Sequence, residues 1–194
     1  MVGRALSAKL RELGHDVVVG SRSAGEDSRP FEEAAAHAEL IVNATNGEYA
    51  LDALAQAGED NLRGKVLVDV TNPLDFSRGR PPTLSVCNDD SLGERIQRAH
   101  PEARVVKTLN TVNANVMVDP SLVGGPHDIF VSGDDAEAKA AAVELLESFG
   151  WPREHILDLG DISTARGPEM YLALWLRLFG VAGTPNFNIR LARG

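Results

Sequence analysis

Four short polar runs stand where apolar runs end, and their residue types suit holding a phosphorylated ligand better than they suit acid–base or metal chemistry. Gly20-Ser21-Arg22 follows Asp16 to Val19, and Asn43-Ala44-Thr45-Asn46 follows Glu39 to Val42. Thr71-Asn72-Pro73 follows Lys65 to Val70. Thr108-Leu109-Asn110-Thr111, with Asn113 and Asn115 close behind, follows Ala103 to Lys107. Amides and hydroxyls donate and accept hydrogen bonds without charge, whereas Arg22, with Arg29 a few residues on, offers a planar fork of donors that matches a phosphate. The same residue types build turns and helix caps, and at the three neutral runs both readings stay open.

Other chemistries find no pattern. There is no phosphate loop with an invariant lysine, no nucleophile elbow and no zinc-protease motif. His15, His37, His100, His127 and His155 are scattered, with no metal-ligand spacing to a cysteine or acid. Asp158 and Asp161 flank Gly160 and read as caps. Cys87 is the only cysteine, so no disulfide framework exists, and it reads as a small half-buried thiol. With 43% hydrophobic residues, a chain of 194 can bury a core without such staples. A formal net charge of -9 argues against nucleic acid and against an anionic membrane surface, since both call for a basic face. The longest apolar run, Met170 to Ala182, is interrupted by Arg177 and is too short to span a bilayer. No signal-peptide pattern opens the chain, and a cytoplasmic location is expected.

The elements that must position these runs alternate from end to end. Helices are expected at residues 2–13, 30–38, 49–57, 91–100, 135–149 and 166–179, with a short turn at 113–118. Strands are expected at 16–20, 39–43, 65–70, 103–109, 127–132 and 155–159, with a last one at 188–191. Gly14, Gly58 and Gly150 stop helices, Pro30 starts one, and Asp90 or Ser91 caps another. Short apolar strands between helices predict an α/β fold of the Rossmann type: a doubly wound, mainly parallel sheet. Ligands in such sheets bind at the carboxyl ends of strands, where the four polar runs lie.

On that rule Gly20-Ser21-Arg22 meets the adenosine ribose of a dinucleotide. NAD enzymes usually place an acid there, but here none appears before Glu26, and Ser21 and Arg22 suit the 2′-phosphate of NADP(H) instead. Gly3, near the start of the first helix, sits where the third glycine of the dinucleotide fingerprint belongs. Ala44, Thr45, Asn72 and Pro73 would line the crevice for the rest of the cofactor. Asn110 and Thr111 would face the nicotinamide and the substrate. The apolar helix with Met170, Leu174, Trp175 and Phe179 is expected to be buried, on the sheet or across a homodimer interface; it alternatively forms a wall for a flat aromatic co-substrate.

The segments NATNGEYALDAL, DVTNPLDFS, PPTLSVCNDDSLGERIQ, VVKTLNTVNANVMVDP and DLGDISTARGPEMYLALWLRLFG resemble the NADPH-dependent F420 reductase-like family, dinucleotide-binding oxidoreductases related to F420:NADP oxidoreductase. The resemblance implies an NADP-binding Rossmann domain over residues 1–160 and a short helical extension over 161–194 that completes the substrate pocket. It implies hydride transfer between NADPH and a small-molecule acceptor, a deazaflavin (coenzyme F420) or a flavin, with no catalytic acid or base named. Ser21 and Arg22 match the family's 2′-phosphate contacts and Gly3 its third glycine; Asn72-Pro73 and Asn110-Thr111 match strand ends near the nicotinamide. Family members open with a strand and a Gly-Thr-Gly turn directly before the Met-Val-Gly at which this sequence starts. The expectation is therefore a sheet without its first strand, with weakened NADP(H) binding and stability. The competing reading is a non-catalytic NADP-binding module, a sensor or a remnant.

Overall fold

Alternating apolar strands can bury both faces only if helices cover both, and the computed structural model shows how this chain does so; it describes residues 1–23, 25–192 and 194. In chain order the elements are α1 (Val2–Glu12), β1 (Gly20–Ser21), β2 (Arg29–Pro30), α2 (Phe31–His37), β3 (Leu40–Asn43), α3 (Ala50–Ala57), α4 (Glu59–Leu62) and β4 (Val66–Asp69). They continue with β5 (Leu74–Asp75), β6 (Thr83–Leu84), α5 (Leu92–Ala99), β7 (Arg104–Thr108), α6 (Ala114–Val118), β8 (Ile129–Ser132), α7 (Ala136–Ser148), β9 (Ile156–Asp158) and α8 (Arg166–Ala182). Single 3₁₀ turns, such as Gly47–Tyr49 before α3, link several of them. Helix starts follow the side-chain signals. Ser91, Asn113 and Asp135 each accept a bond from a first-turn amide, so Ser91 rather than Asp90 caps α5.

The main sheet runs β3-β4-β7-β8-β9, parallel throughout except that β7 and β8 are antiparallel. Side chains alternate between its faces. Val66, Val68 and Val106 join α1, α6 and α7 in one core, while Leu67 and Val105 join α2, α3 and α5 in the other. This is the doubly wound α/β architecture. Residues 74–90, a Pro/Gly/Ser-rich excursion, close on themselves through the antiparallel pair β5–β6.

Two expected strands do not form. Asp16 to Val19 joins no ladder; only Gly20–Ser21 pairs, with Arg29–Pro30. A strand needs a partner for its backbone, and here the Val17 carbonyl takes the Arg11 guanidinium and the Val19 carbonyl the Arg29 amide. Between this segment and β3 lies an open trench of ≈ 640 Å³, walled by Val17, Val18 and Val19 on one side and Leu40, Ile41 and Val42 on the other, with Leu6 and Leu10 of α1 along it. The Asn43 carbonyl bonds Val70 on the β4 side. In an extended strand alternate residues point their backbone groups to opposite sides, so those of Val42 and Leu40 face the trench. Residues 188–191 are also irregular. A single backbone bond, Asp128 to the Ile189 carbonyl, reaches them, and side chains do the rest.

Candidate functional site

The carboxyl ends of β3, β4 and β7 lie side by side, and a buried polar chain ties them together. Asp69 and Lys107 are register partners on adjacent strands, so their side chains share a face. Lys107 Nζ is 2.7 Å from Asp69 Oδ2, and both side chains are fully buried. The other Asp69 oxygen accepts from Asn43 Nδ2 at 3.0 Å and from the Thr71 hydroxyl at 2.8 Å. The Asn43 carbonyl oxygen in turn accepts from the Thr45 hydroxyl at 2.8 Å. On its far side Lys107 Nζ meets Glu169 Oε1 of α8 at 2.8 Å.

One ammonium between two carboxylates leaves a net negative charge in the interior. It is offset at the start of α5, where the Leu92 and Gly93 amides donate to Glu169 at 2.7 and 2.9 Å. Helix N-terminal amides carry partial positive charge and no partner of their own helix. Burial alone would pull the lysine pKa down, but the charges of Asp69 and Glu169 outweigh it and hold Lys107 above its ordinary value. A second tie fixes the same helix: Arg166 is bidentate on Glu94, at 2.8 and 2.5 Å, while the Ser91 hydroxyl accepts the Glu94 amide and donates to the Glu94 carboxylate. The Arg166 bond outweighs burial and, with the Ser91 bond, holds the Glu94 carboxyl below its usual range.

Above this network, Asn72 and Asn110 face each other. Asn72 Nδ2 donates to the Asn110 carbonyl at 2.9 Å, and Asn110 Nδ2 donates to Asn72 Oδ1 at 3.0 Å. Asn110 is buried, so its amide is spent on Asn72. Thr111 is buried too, but its hydroxyl has no partner among the described residues, and neither has that of Thr108. Leu109, between them, holds φ at 61°, a left-handed conformation that costs a leucine about 1–3 kcal/mol. Pro73 is buried and fixes the excursion through its carbonyl, which accepts the Ser85 amide. Gly47 lies so close to the Asn72 carbonyl oxygen that a Cβ would sit 2.0 Å from it, so only glycine fits.

At the end of β1 the Ser21 hydroxyl bonds the Ser23 carbonyl and lies 3.2 Å from the Ser28 hydroxyl. The exposed Arg22 guanidinium lies over the Tyr49 ring, 5.6 Å from its centroid. Gly3 and Ala44 flank the trench together, and a Cβ on Gly3 would meet Ala44 in ordinary contact at 3.8 Å. Thr45 lines the same trench. The structure thus brings Asn72, Pro73, Asn110 and Thr111 into one cluster, with Gly3, Ala44 and Thr45 beside the trench and Ser21-Arg22 at its margin.

Helix α8 departs from the expectation of a buried helix. Pro168, Glu169 and Leu172 are buried, but Met170, Leu174, Phe179 and Val181 are exposed. Its first turns are clamped by Glu169 and Arg166, and among the described residues no other element covers the outer face of the rest. Trp175 stacks between Phe179 and Phe187, with centroids at 5.6 and 5.1 Å. The segment carrying Phe187 is held at the start of α6 by Asn113, whose amide donates to Pro185 and Asn186. No helix of the described residues is long and apolar enough to cross a membrane.

Comparison with known proteins identifies the family. The profile of the family described as coenzyme F420-dependent NADP oxidoreductases matches residues 1–73. A crystal structure from Arthrobacter sp. FB24, provisionally named an F420-dependent NADP reductase, is 50% identical; the match covers 99% of this chain and 95% of that one, with a TM-score of 0.94. The chain belongs to the F420-dependent NADP oxidoreductase family. The F420-dependent NADP reductase of Methanocaldococcus jannaschii is 30% identical over 75% of this chain and 64% of its own length. The rat metalloreductase STEAP3 is 31% identical over 90% of this chain, which spans only 34% of that protein. For this member of the family, sequence reasoning had passed over Asp69, Lys107, Glu169, Gly47 and Tyr49. A signal existed for the first three: Asp69 and Lys107 each directly follow a run of valines and leucines, and Glu169 opens the long apolar helix. Nothing local marked Gly47 or Tyr49, because their roles depend on contacts with distant segments.

Proposed function

We propose that this chain is an NADP(H)-dependent oxidoreductase that passes a hydride between NADPH and a deazaflavin or flavin-like acceptor, with coenzyme F420 the first candidate. The observation that carries the cofactor half is Arg22: an exposed guanidinium at the end of β1, next in sequence to Ser21, whose hydroxyl meets that of Ser28, and paired with no carboxylate among the described residues. A 2′-phosphate suits that set, and an NAD ribose, which calls for an acid, does not. The first turn of α1 has no acidic residue, which suits a pyrophosphate at its amides.

Bound NADPH would supply the hydride from its nicotinamide C4, chemistry that needs positioning and a dry site more than an acid or a base. In this reading Ser21 and Arg22 bind the 2′-phosphate. Gly3, Ala44 and Thr45 border the phosphates, and Asn72 and Pro73 shape the ribose side. Asn110 holds Asn72, which leaves the unpartnered Thr111 hydroxyl to meet the carboxamide or the acceptor. The extension from residue 161 supplies the aromatic wall, and its exposed face suits a homodimer contact.

The test follows NADPH deuterated at C4 in the presence of F420 or FMN. F420 reduced with deuterium at its C5, or FMN reduced (its N5–H exchanges with water and keeps no label), in amount equal to the NADPH consumed, supports the proposal. The trench favours a second reading, a non-catalytic NADP-binding module, because the wall beside the phosphate site is open. NADPH binding without reduction of either acceptor would select it, and absence of both would remove both.

A further inference from the structure

We infer that Tyr49 sets the cofactor preference of this chain by holding the Arg22 guanidinium ready for a 2′-phosphate; the inference rests on the NADP(H) reading of the Arg22 site. Arg22 follows β1 and Tyr49 follows β3, so their contact joins the two segments that flank the trench. The anchoring is one-sided. Tyr49 sits at the end of a 3₁₀ turn in which Asn46 accepts the Glu48 amide through its side chain and the Tyr49 amide through its carbonyl. Gly47 presses that turn onto the Asn72 carbonyl, and Ala50, the next residue, is fully buried. The Tyr49 backbone is therefore held against the segment that follows β4, whatever Arg22 does.

Arg22 has no comparable support. Its side chain is exposed, and its loop is held by serine contacts and the two-residue β1–β2 pair. A free arginine samples many rotamers and must give them up to bind. An aromatic face under the guanidinium removes part of that cost and leaves the N–H donors at the guanidinium edge free for phosphate oxygens. NADH has no 2′-phosphate and gains nothing from this. Tyr49 is thus a positioning residue for specificity, acting through Arg22.

The test is titration calorimetry of NADPH and NADH on this chain and on Tyr49→Phe, Tyr49→Leu and Arg22→Ala, with melting curves to show equal folding. The expected result is an NADPH Kd raised about two- to fivefold in Tyr49→Leu, the range of an exposed cation–π contact. NADH binding should stay unchanged, and Tyr49→Phe, which keeps the ring, should behave like the parent. If Arg22→Ala abolishes the preference while Tyr49→Leu leaves the NADPH Kd alone, or weakens both cofactors equally, Tyr49 has no such role and the NADP(H) reading survives. If the parent chain does not prefer NADPH, the NADP(H) reading itself fails; if Arg22→Ala leaves the preference intact, the assignment of the 2′-phosphate to Arg22 fails; either result takes the inference with it.

Discussion

The two sides of β3 make opposite use of a strand edge. Toward β4 and β7, every charged group at the strand ends is matched: Lys107 by two carboxylates, Asp69 by three further donors, Glu169 by two helix amides. Toward Val17–Val19, the backbone of Val42 and Leu40 faces an open trench with apolar walls. The closed side is rigid because removing any member strands the others in a medium that cannot solvate them. The open side holds little that can be lost. Stability in this molecule is therefore concentrated on one flank of the candidate site, and adaptability on the other.

The largest expected effect comes from Lys107→Met, which leaves two buried carboxylates without their cation. Denaturant unfolding should show a loss of about 3–5 kcal/mol, with part regained when Asp69→Asn and Glu169→Gln are added. A neutral single variant would erase the contrast between the flanks. Next, Val68→Ala on the closed side should cost about 2–3 kcal/mol, and Val18→Ala on the trench wall less than about 1 kcal/mol. Equal costs would mean that the trench is closed in solution. The third effect depends on pH. Because Arg166 holds the Glu94 pKa below its ordinary value, the unfolded chain binds that proton more readily than the folded one. The stabilisation is complete above the usual glutamate range near ~4.3 and is lost as the pH falls through the folded value. Acid titration of the parent against Glu94→Gln should show a difference of about 1–3 kcal/mol near neutrality that shrinks toward low pH. The smallest effect is local: the Val42 amide, facing the trench, should exchange with solvent faster than the Val68 amide in the same sheet.

The outline of the fold was legible because period and punctuation carry it. β3, β4, β7, β8 and β9 fall within the apolar runs that announced them, and Ser91, Asn113 and Asp135 cap the helices they precede. Asp16–Val19 misled because β-branched residues state a preference, whereas a ladder also needs a neighbour, which periodicity cannot see. The outer face of α8 misled likewise: an apolar face says that it would gain from cover, not that cover is present. At the site, Asn72, Asn110 and Thr111 were visible as polar strand ends, but the pairing that separates the spent amide of Asn110 from the unpartnered hydroxyl of Thr111 exists only across strands. Lys107 looked like an ordinary charge until its register with Asp69 was known.

The buried triad also gives the molecule an uneven response to heat. Dehydrating an ion becomes less costly as water warms, while the gain from burying apolar surface levels off. Lys107, Asp69 and Glu169 thus hold their share of the cohesion on warming, whereas β1 and β2 keep only a two-residue pairing and a few serine contacts. Melting should then begin at the β3 margin and reach the β4–β7 centre last, so that Ser21 and Arg22 lose their order at temperatures where Asn72 and Asn110 still hold each other.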